Sequence, residues 1–261
     1  MGHQTLDLRR DGAIARITLD RPPANALDLT MARELAEVAL VCDEDPEVRV
    51  VVLTGRGKAF CAGGDLASFG AAGERVPTLL KEVTAGLHVA IARFARMRAP
   101  VIAAVNGVAA GAGFSLVTAC DLAVAAASAR FTMAYTRAGL VPDGSSTFFL
   151  PRLIGLRRTQ ELMITNRMLS SAEALEWGVL TRVVPDAELE TTVDALAREV
   201  AAGPTGALAS VKRLLLLSGG DRLEAQMEAE TREIADAARR PDGREGIAAF
   251  LEKRPPRFDG R

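Results

Sequence analysis

Apolar and polar positions alternate from Ala13 to Asp20, the period-2 signature of a half-buried strand, and Arg21-Pro22-Pro23 ends it. Asp28 follows as a cap for a helix running to about Glu44. Val48–Thr54 is a β-branched run closed by Gly55 and Gly57, which predicts a strand covered on both faces. A glycine-rich loop, Ala62-Gly63-Gly64-Asp65, comes next. The segment Thr84–Met97 then puts Leu87, Ile91, Phe94 and Met97 on one helical face. Pro100–Val105 is a further strand, Asn106-Gly107 a turn, Gly111–Ala119 a helix of small residues, and Asp121–Ala126 a strand again. Strands alternating with helices in this way predict an α/β core with parallel strands.

Beyond Asp143 the periodicity becomes helical. Ser170-x-x-Glu173, Asp221-x-x-Glu224 and Asp242-x-x-Glu245 each have the spacing of a capping box. Leu223, Met227 and Ile234 stripe one helix, and Ile247, Phe250 and Leu251 mark another. From about Ala187 the chain is mainly helical, a layer suited to packing on a second subunit. The expected division is a core over 1–195 and a helical oligomerisation region over 196–261.

Composition narrows the function classes. Lys and Arg number 32 against 33 for Asp and Glu, so no global field draws in nucleic acid or an anionic membrane. Cys42, Cys61 and Cys120 form no CxxC pair, and their odd number speaks against a disulfide framework. With His3 and His88 the only histidines, no metal site is expected. The apolar stretch Val101–Ala127 is interrupted by Asn106, glycines and Asp121, which excludes a membrane span there. The first residues show no basic start leading into an apolar run, so reducing cytoplasm is the expected compartment.

Several familiar catalytic motifs are absent: G-x-G-x-x-G, the Walker loop and the G-x-S-x-G elbow. What remains is a pair of strand-to-loop-to-helix junctions almost without side chains. One is Phe60-Cys61-Ala62-Gly63-Gly64-Asp65-Leu66; the other runs from Asn106-Gly107 to Gly111-Ala112-Gly113. Small residues let a ligand approach the backbone, and a helix start offers unpaired N–H groups in a favourable dipole. Each junction alone also fits a tight turn with close packing; side by side they would form an oxyanion hole.

Together the two junctions resemble the signatures of the crotonase (enoyl-CoA hydratase/isomerase) superfamily, and Arg244–Arg254 is similar to that family's C-terminal helix. The resemblance implies a spiral of ββα turns with a C-terminal helical trimerisation region, an acyl-CoA thioester as substrate, and a homotrimer or hexamer. It requires no cofactor beyond the coenzyme A of the substrate. It implies that the N–H groups of Gly64 and Ala112 are the oxyanion donors, with Leu66 and Gly113 beside them. It further implies that Ala24, Ala26, Ala62 and Asp65 bound the CoA path, and that Phe250 and Lys253 reach a CoA held by a neighbouring subunit. Lys253 reads equally as a solvated charge in Glu-Lys-Arg.

The departures from the family pattern carry the chemistry. Family hydratases place glutamates where this chain has Ser115 and Tyr135, and adding water across a double bond wants such paired carboxylates. The remaining candidate is Asp143, in Leu140-Val-Pro-Asp-Gly, which on local grounds alone is a turn residue and helix cap. That stretch, with Phe149-Leu-Pro-Arg152, resembles the branch of 1,2-epoxyphenylacetyl-CoA isomerase and related enoyl-CoA isomerases. There the matching Asp is taken to move the substrate proton. The expected function is thus an acyl-CoA isomerase with Asp143 as proton shuttle. Three alternatives stand beside it: a hydratase with Asp143 as sole acid/base, a thioester hydrolase or dehalogenase with nucleophilic Asp143 and water-activating His88, and a non-catalytic CoA- or RNA-binding protein. Tyr135, the single tyrosine, either lines the acyl pocket or is an ordinary buried residue, and Trp177 reads as a core anchor.

Overall fold

The computed structural model describes residues 2–220 and 222–261. Among them the strands are β1 (Leu6–Asp11), β2 (Ile14–Leu19), β3 (Val50–Gly55), β4 (Ala59–Cys61), β5 (Val101–Val105), β6 (Val108–Ala110), β7 (Leu122–Ala126), β8 (Arg130–Thr132), β9 (Leu169–Ser170) and β10 (Arg182–Val184). The helices are α1 (Leu29–Glu44), α2 (Leu66–Ala71), α3 (Val76–Arg96), α4 (Ala112–Ala119), α5 (Ser146–Ile154) and α6 (Leu156–Thr165), then α7 (Ser171–Glu176), α8 (Leu189–Ala201), α9 (Thr205–Leu217), α10 (Leu223–Arg239) and α11 (Pro241–Leu251).

A six-stranded sheet in the order β1-β2-β3-β5-β7-β10 is the spine, parallel throughout except for the β1–β2 hairpin. Its central strands are apolar without alternation because both faces are covered. Val51 and Leu53 of β3 face the main core with α1 and α3, whereas Val50 and Val52 face Leu189, Val193 and Ala197 of α8. Position 195 falls inside α8, whose residues up to Ala201 pack on the sheet, so the outer helical region starts after that helix.

A second, four-stranded sheet, β4-β6-β8-β9, stacks beside the first. Its strands are two or three residues long; β4, β6 and β8 each follow a spine strand after a short turn, and β9 follows α6. They were not separable from loop in the sequence, because so few positions cannot display a period of two. The β1 strand also escaped the sequence reading, and α3 begins at Val76, eight residues before the expected start. Pro77 in its first turn removes no helical hydrogen bond, and Leu80 and Val83 extend the stripe of Leu87.

Asp28 caps α1 by accepting from the Met31 N–H at 2.8 Å, and Ser170 with Glu173 forms the expected capping box. Asp242 does not cap: α11 begins one residue before it, and its carboxylate instead accepts from the N–H groups of Asp259 (2.8 Å) and Gly260 (2.9 Å), folding the tail back. The Asp221–Glu224 box rests on Asp221, outside the described residues. Among the described residues no single helix is long and apolar enough to cross a membrane.

Candidate active site

The two glycine-bearing junctions lie side by side, and packing rather than loop freedom sets their course. A side chain at Gly107 would place its Cβ 2.1 Å from the Lys58 carbonyl oxygen, and one at Gly113 would sit 2.2 Å from that of Cys61. Both glycines therefore let the second junction press against β4. The buried Asn25 amide donates to the carbonyls of Ala59 (2.9 Å) and Phe60 (3.2 Å), fastening the first junction from the other side. Arg21 adds a charged tie, donating to Asp65 at 2.6 Å and to the Ala26 carbonyl at 3.0 Å.

Residues 24–27 run alongside the first junction as an extended pair. The Ala62 N–H donates to Ala24, Leu27 to Gly63, and Asp65 to Leu27. Because the carbonyl before Gly64 and the N–H after it both turn toward Leu27, the pleat directs the Gly64 N–H to the opposite side. In the second junction Gly111 holds φ of 49° as the residue before α4, and Ala112 is that helix's first residue. First-turn N–H groups have no intrahelical acceptor. Among the described residues neither the Gly64 nor the Ala112 N–H has a partner.

Both glycine junctions open on one cavity of about 250 Å³. Gly64, Ala112, Ala62, Leu66, Tyr135 and Asp143 of the expected site all line it. Ala24, Ala26, Asp65, His88, Gly113, Phe250 and Lys253 do not. Asp65 is occupied as the cap of α2, accepting from the Ala67 and Ser68 N–H groups, and with Arg21. These bonds, led by the Ser68 hydroxyl, hold its carboxyl below the ordinary range despite its partial burial. Gly113 serves packing, as described. Phe250 and Lys253 close α11 at the surface, with Phe250 82% exposed.

The rest of the polar lining is made of side chains. Tyr135 donates its hydroxyl to Asp143 Oδ1 at 2.5 Å, and its oxygen lies 3.1 Å from Ser115 Oγ. Burial, then the Asp143 charge, pushes the phenol of Tyr135 well up, so it remains a donor. The Asp143 side chain is not the cap of α5. That position belongs to Ser145, and Asp143 contributes only its backbone carbonyl, which accepts from the Ser146 N–H (3.2 Å) and hydroxyl (2.9 Å). His88 is exposed on α3 and accepts the Gly144 N–H at 3.3 Å, bracing the turn from outside the cavity lining. The aliphatic lining of Leu80, Val83, Leu140 and Val141 had no signal of its own in the sequence.

This geometry offers two backbone donors and one carboxylate lining the same apolar cleft. A family model described as enoyl-CoA hydratase/isomerase matches residues 9–261. A protein of Rhodobacter capsulatus named "Probable enoyl-CoA hydratase" is 40% identical over the whole of both chains. The 1,2-epoxyphenylacetyl-CoA isomerase of Escherichia coli K12 is 38% identical over 95% of each chain. The 4-chlorobenzoyl coenzyme A dehalogenase-2 of Arthrobacter sp. is 35% identical over 95% of this chain and 91% of its own. The crystal structure of an enoyl-CoA hydratase from Polaromonas sp. JS666 superimposes with a TM-score of 0.92 at 34% identity, over 97% of this chain and 99% of that one. The chain belongs to the enoyl-CoA hydratase/isomerase family of the crotonase superfamily and has its α/β fold.

Proposed function

We propose that this protein is an acyl-CoA isomerase that shifts a double bond through a thioester enolate, with Asp143 as its proton shuttle. The observation that carries the reading is that Asp143 is the one carboxylate among the described residues lining the cavity. Ser115 and Tyr135 supply hydroxyls where water addition would call for carboxylates. A double-bond shift needs only one such group, because the proton taken from one carbon is returned to another.

The steps follow from this arrangement. The thioester oxygen of a β,γ-enoyl-CoA accepts from the N–H groups of Gly64 and Ala112. Asp143 takes a proton from the carbon next to the thioester, and the electron pair moves into the carbonyl as an enolate. The Asp143 carboxylic acid then protonates the γ carbon, and the double bond comes to rest conjugated with the thioester. Each N–H donor of such a hole contributes about 2.7–4 kcal/mol to the transition state. The aliphatic lining favours an uncharged acyl group, unsaturated or ring-derived. The CoA moiety would leave past Ala62 toward the loop holding Ala24 and Ala26. A trimer or its dimer, built on the exposed apolar faces of α10 and α11, would bring Phe250 and Lys253 to a neighbour's CoA.

A second reading, hydration with Asp143 as sole acid/base, is favoured by the name of the relative from Rhodobacter capsulatus. Nucleophilic Asp143 with water-activating His88 gains less, since His88 stands outside the lining and its Nε2 is engaged by Gly144. A panel of acyl-CoA thioesters with products read by mass separates the three. An isomer keeps the substrate mass, a hydrate gains water, and hydrolysis frees CoA. Isomerase activity absent across β,γ-enoyl substrates, with hydration present, would overturn the proposal.

A further inference from the structure

Buried hydroxyls must be accounted for hydrogen by hydrogen, and the three polar groups of the side-chain wall allow such a count. Tyr135 has one hydroxyl hydrogen, and it goes to Asp143 Oδ1, which can only accept while ionised. Ser115, fully buried, also has one, with three oxygens in reach: the Gly111 carbonyl at 3.3 Å, the Asp143 carbonyl at 3.0 Å and the Tyr135 hydroxyl at 3.1 Å. The Asp143 carbonyl already accepts twice from Ser146, which fills its lone pairs. The Gly111 carbonyl already takes the Ser115 N–H at 3.0 Å and is the most distant of the three from the hydroxyl. The Ser115 hydrogen therefore belongs on the Tyr135 oxygen. The result is a directed chain, Ser115 O–H to Tyr135 O–H to Asp143 Oδ1, whose links strengthen one another. Asp143 Oδ2 has no protein partner among the described residues.

We infer that Ser115 and Tyr135 are positioning residues that hold Asp143 by Oδ1 and leave Oδ2 as the oxygen exchanging the substrate proton. The inference rests on Asp143 being the shuttle. A carboxylate free to rotate would offer either oxygen at varying angles; one tethered by a short charge-assisted bond presents a single lone pair to the cleft. The titratable groups around Asp143 are few. Tyr135 faces it from the segment after β8, and His88 of α3 contacts the adjoining Gly144. Neither α4 nor the first turn of α5 carries a charged residue. A fall in turnover of a folded Tyr135 variant is thus traceable to the lost donor.

Tyr135 is the only tyrosine, so growth on 3-fluorotyrosine labels this one site. Its fluorine resonance is expected to shift clearly in Asp143→Asn, which takes the ionised partner away from the phenol. Tyr135→Phe keeps the ring and removes the donor. Its kcat should fall about tenfold or more with KM little changed, because the cleft and the CoA path keep their shape. Ser115→Ala should lower kcat in the same direction by less. A fluorine signal blind to Asp143, or a folded Tyr135→Phe enzyme with wild-type kcat, overturns the inference. Full activity in Asp143→Asn instead overturns the underlying isomerase assignment, so the two failures are distinguishable.

Discussion

The two walls of the cavity are built by opposite means. On one side Gly64 and Ala112 present backbone N–H groups whose direction follows from a pleat and a helix start, with side chains excluded by contacts as close as 2.1 Å at Gly107. On the other side Asp143, Tyr135 and Ser115 act through side chains, held by hydrogen bonds spanning up to 20 residues. The backbone wall cannot easily change without unfolding the junctions, so it suits what the reaction keeps constant, the oxyanion. The side-chain wall can change one residue at a time, so it suits what distinguishes one reaction from another.

The sharpest break of that comparison is Asp143→Asn. It keeps size and the backbone contacts to Ser146, so melting should hardly move. Isomerisation of a β,γ-enoyl-CoA should fall by a factor of about 10² to 10⁴. Steady-state kinetics beside a thermal melt checks both. On the backbone wall the cleaner probe is Ala112→Pro rather than a change at Gly64, where any Cβ would meet the Phe69 ring at 2.8 Å. Proline fits the first position of a helix and replaces the N–H in question by its ring carbon, so the donor is lost while the helix is kept. Turnover should drop by about 10² to 10³ with α4 intact by circular dichroism.

Gly113→Ala tests the scaffold behind that wall. Its new methyl would sit 2.2 Å from the Cys61 carbonyl oxygen, so the expected loss is in stability, about 1–3 kcal/mol or more by urea unfolding. The mildest test leaves the chain unaltered. Ile234, Phe250 and Leu251 are more than two-thirds exposed on α10 and α11, and light scattering at micromolar concentration should give a trimer or hexamer mass. A stable monomer would remove the proposed roles of Phe250 and Lys253.

How much of this could be read beforehand follows the same division. The spine strands β3, β5 and β7 were visible as apolar runs, and the backbone donors as a glycine pattern, since both are local in sequence. The short strands of the second sheet were not, and neither was Asn25, whose amide does its work across more than thirty residues. Asp143 could be located but not assigned, because Pro-Asp-Gly is also an ordinary turn; only the three-dimensional placement of Tyr135 turns its carboxylate away from capping. His88, the water activator of one alternative, is found outside the lining, where it accepts the Gly144 N–H instead.

Solvent exchange during turnover tests the central claim most directly. In heavy water the wild-type protein should convert a β,γ-enoyl-CoA to its conjugated isomer. Deuterium should appear at the α or γ carbon by mass spectrometry, because a carboxylate open to the cleft exchanges its proton between turnovers. Asp143→Asn should bind the same thioester with similar affinity and incorporate none above the uncatalysed background. Deuterium entering at the wild-type rate in that variant would contradict the account and return Asp143 to the role of a turn residue.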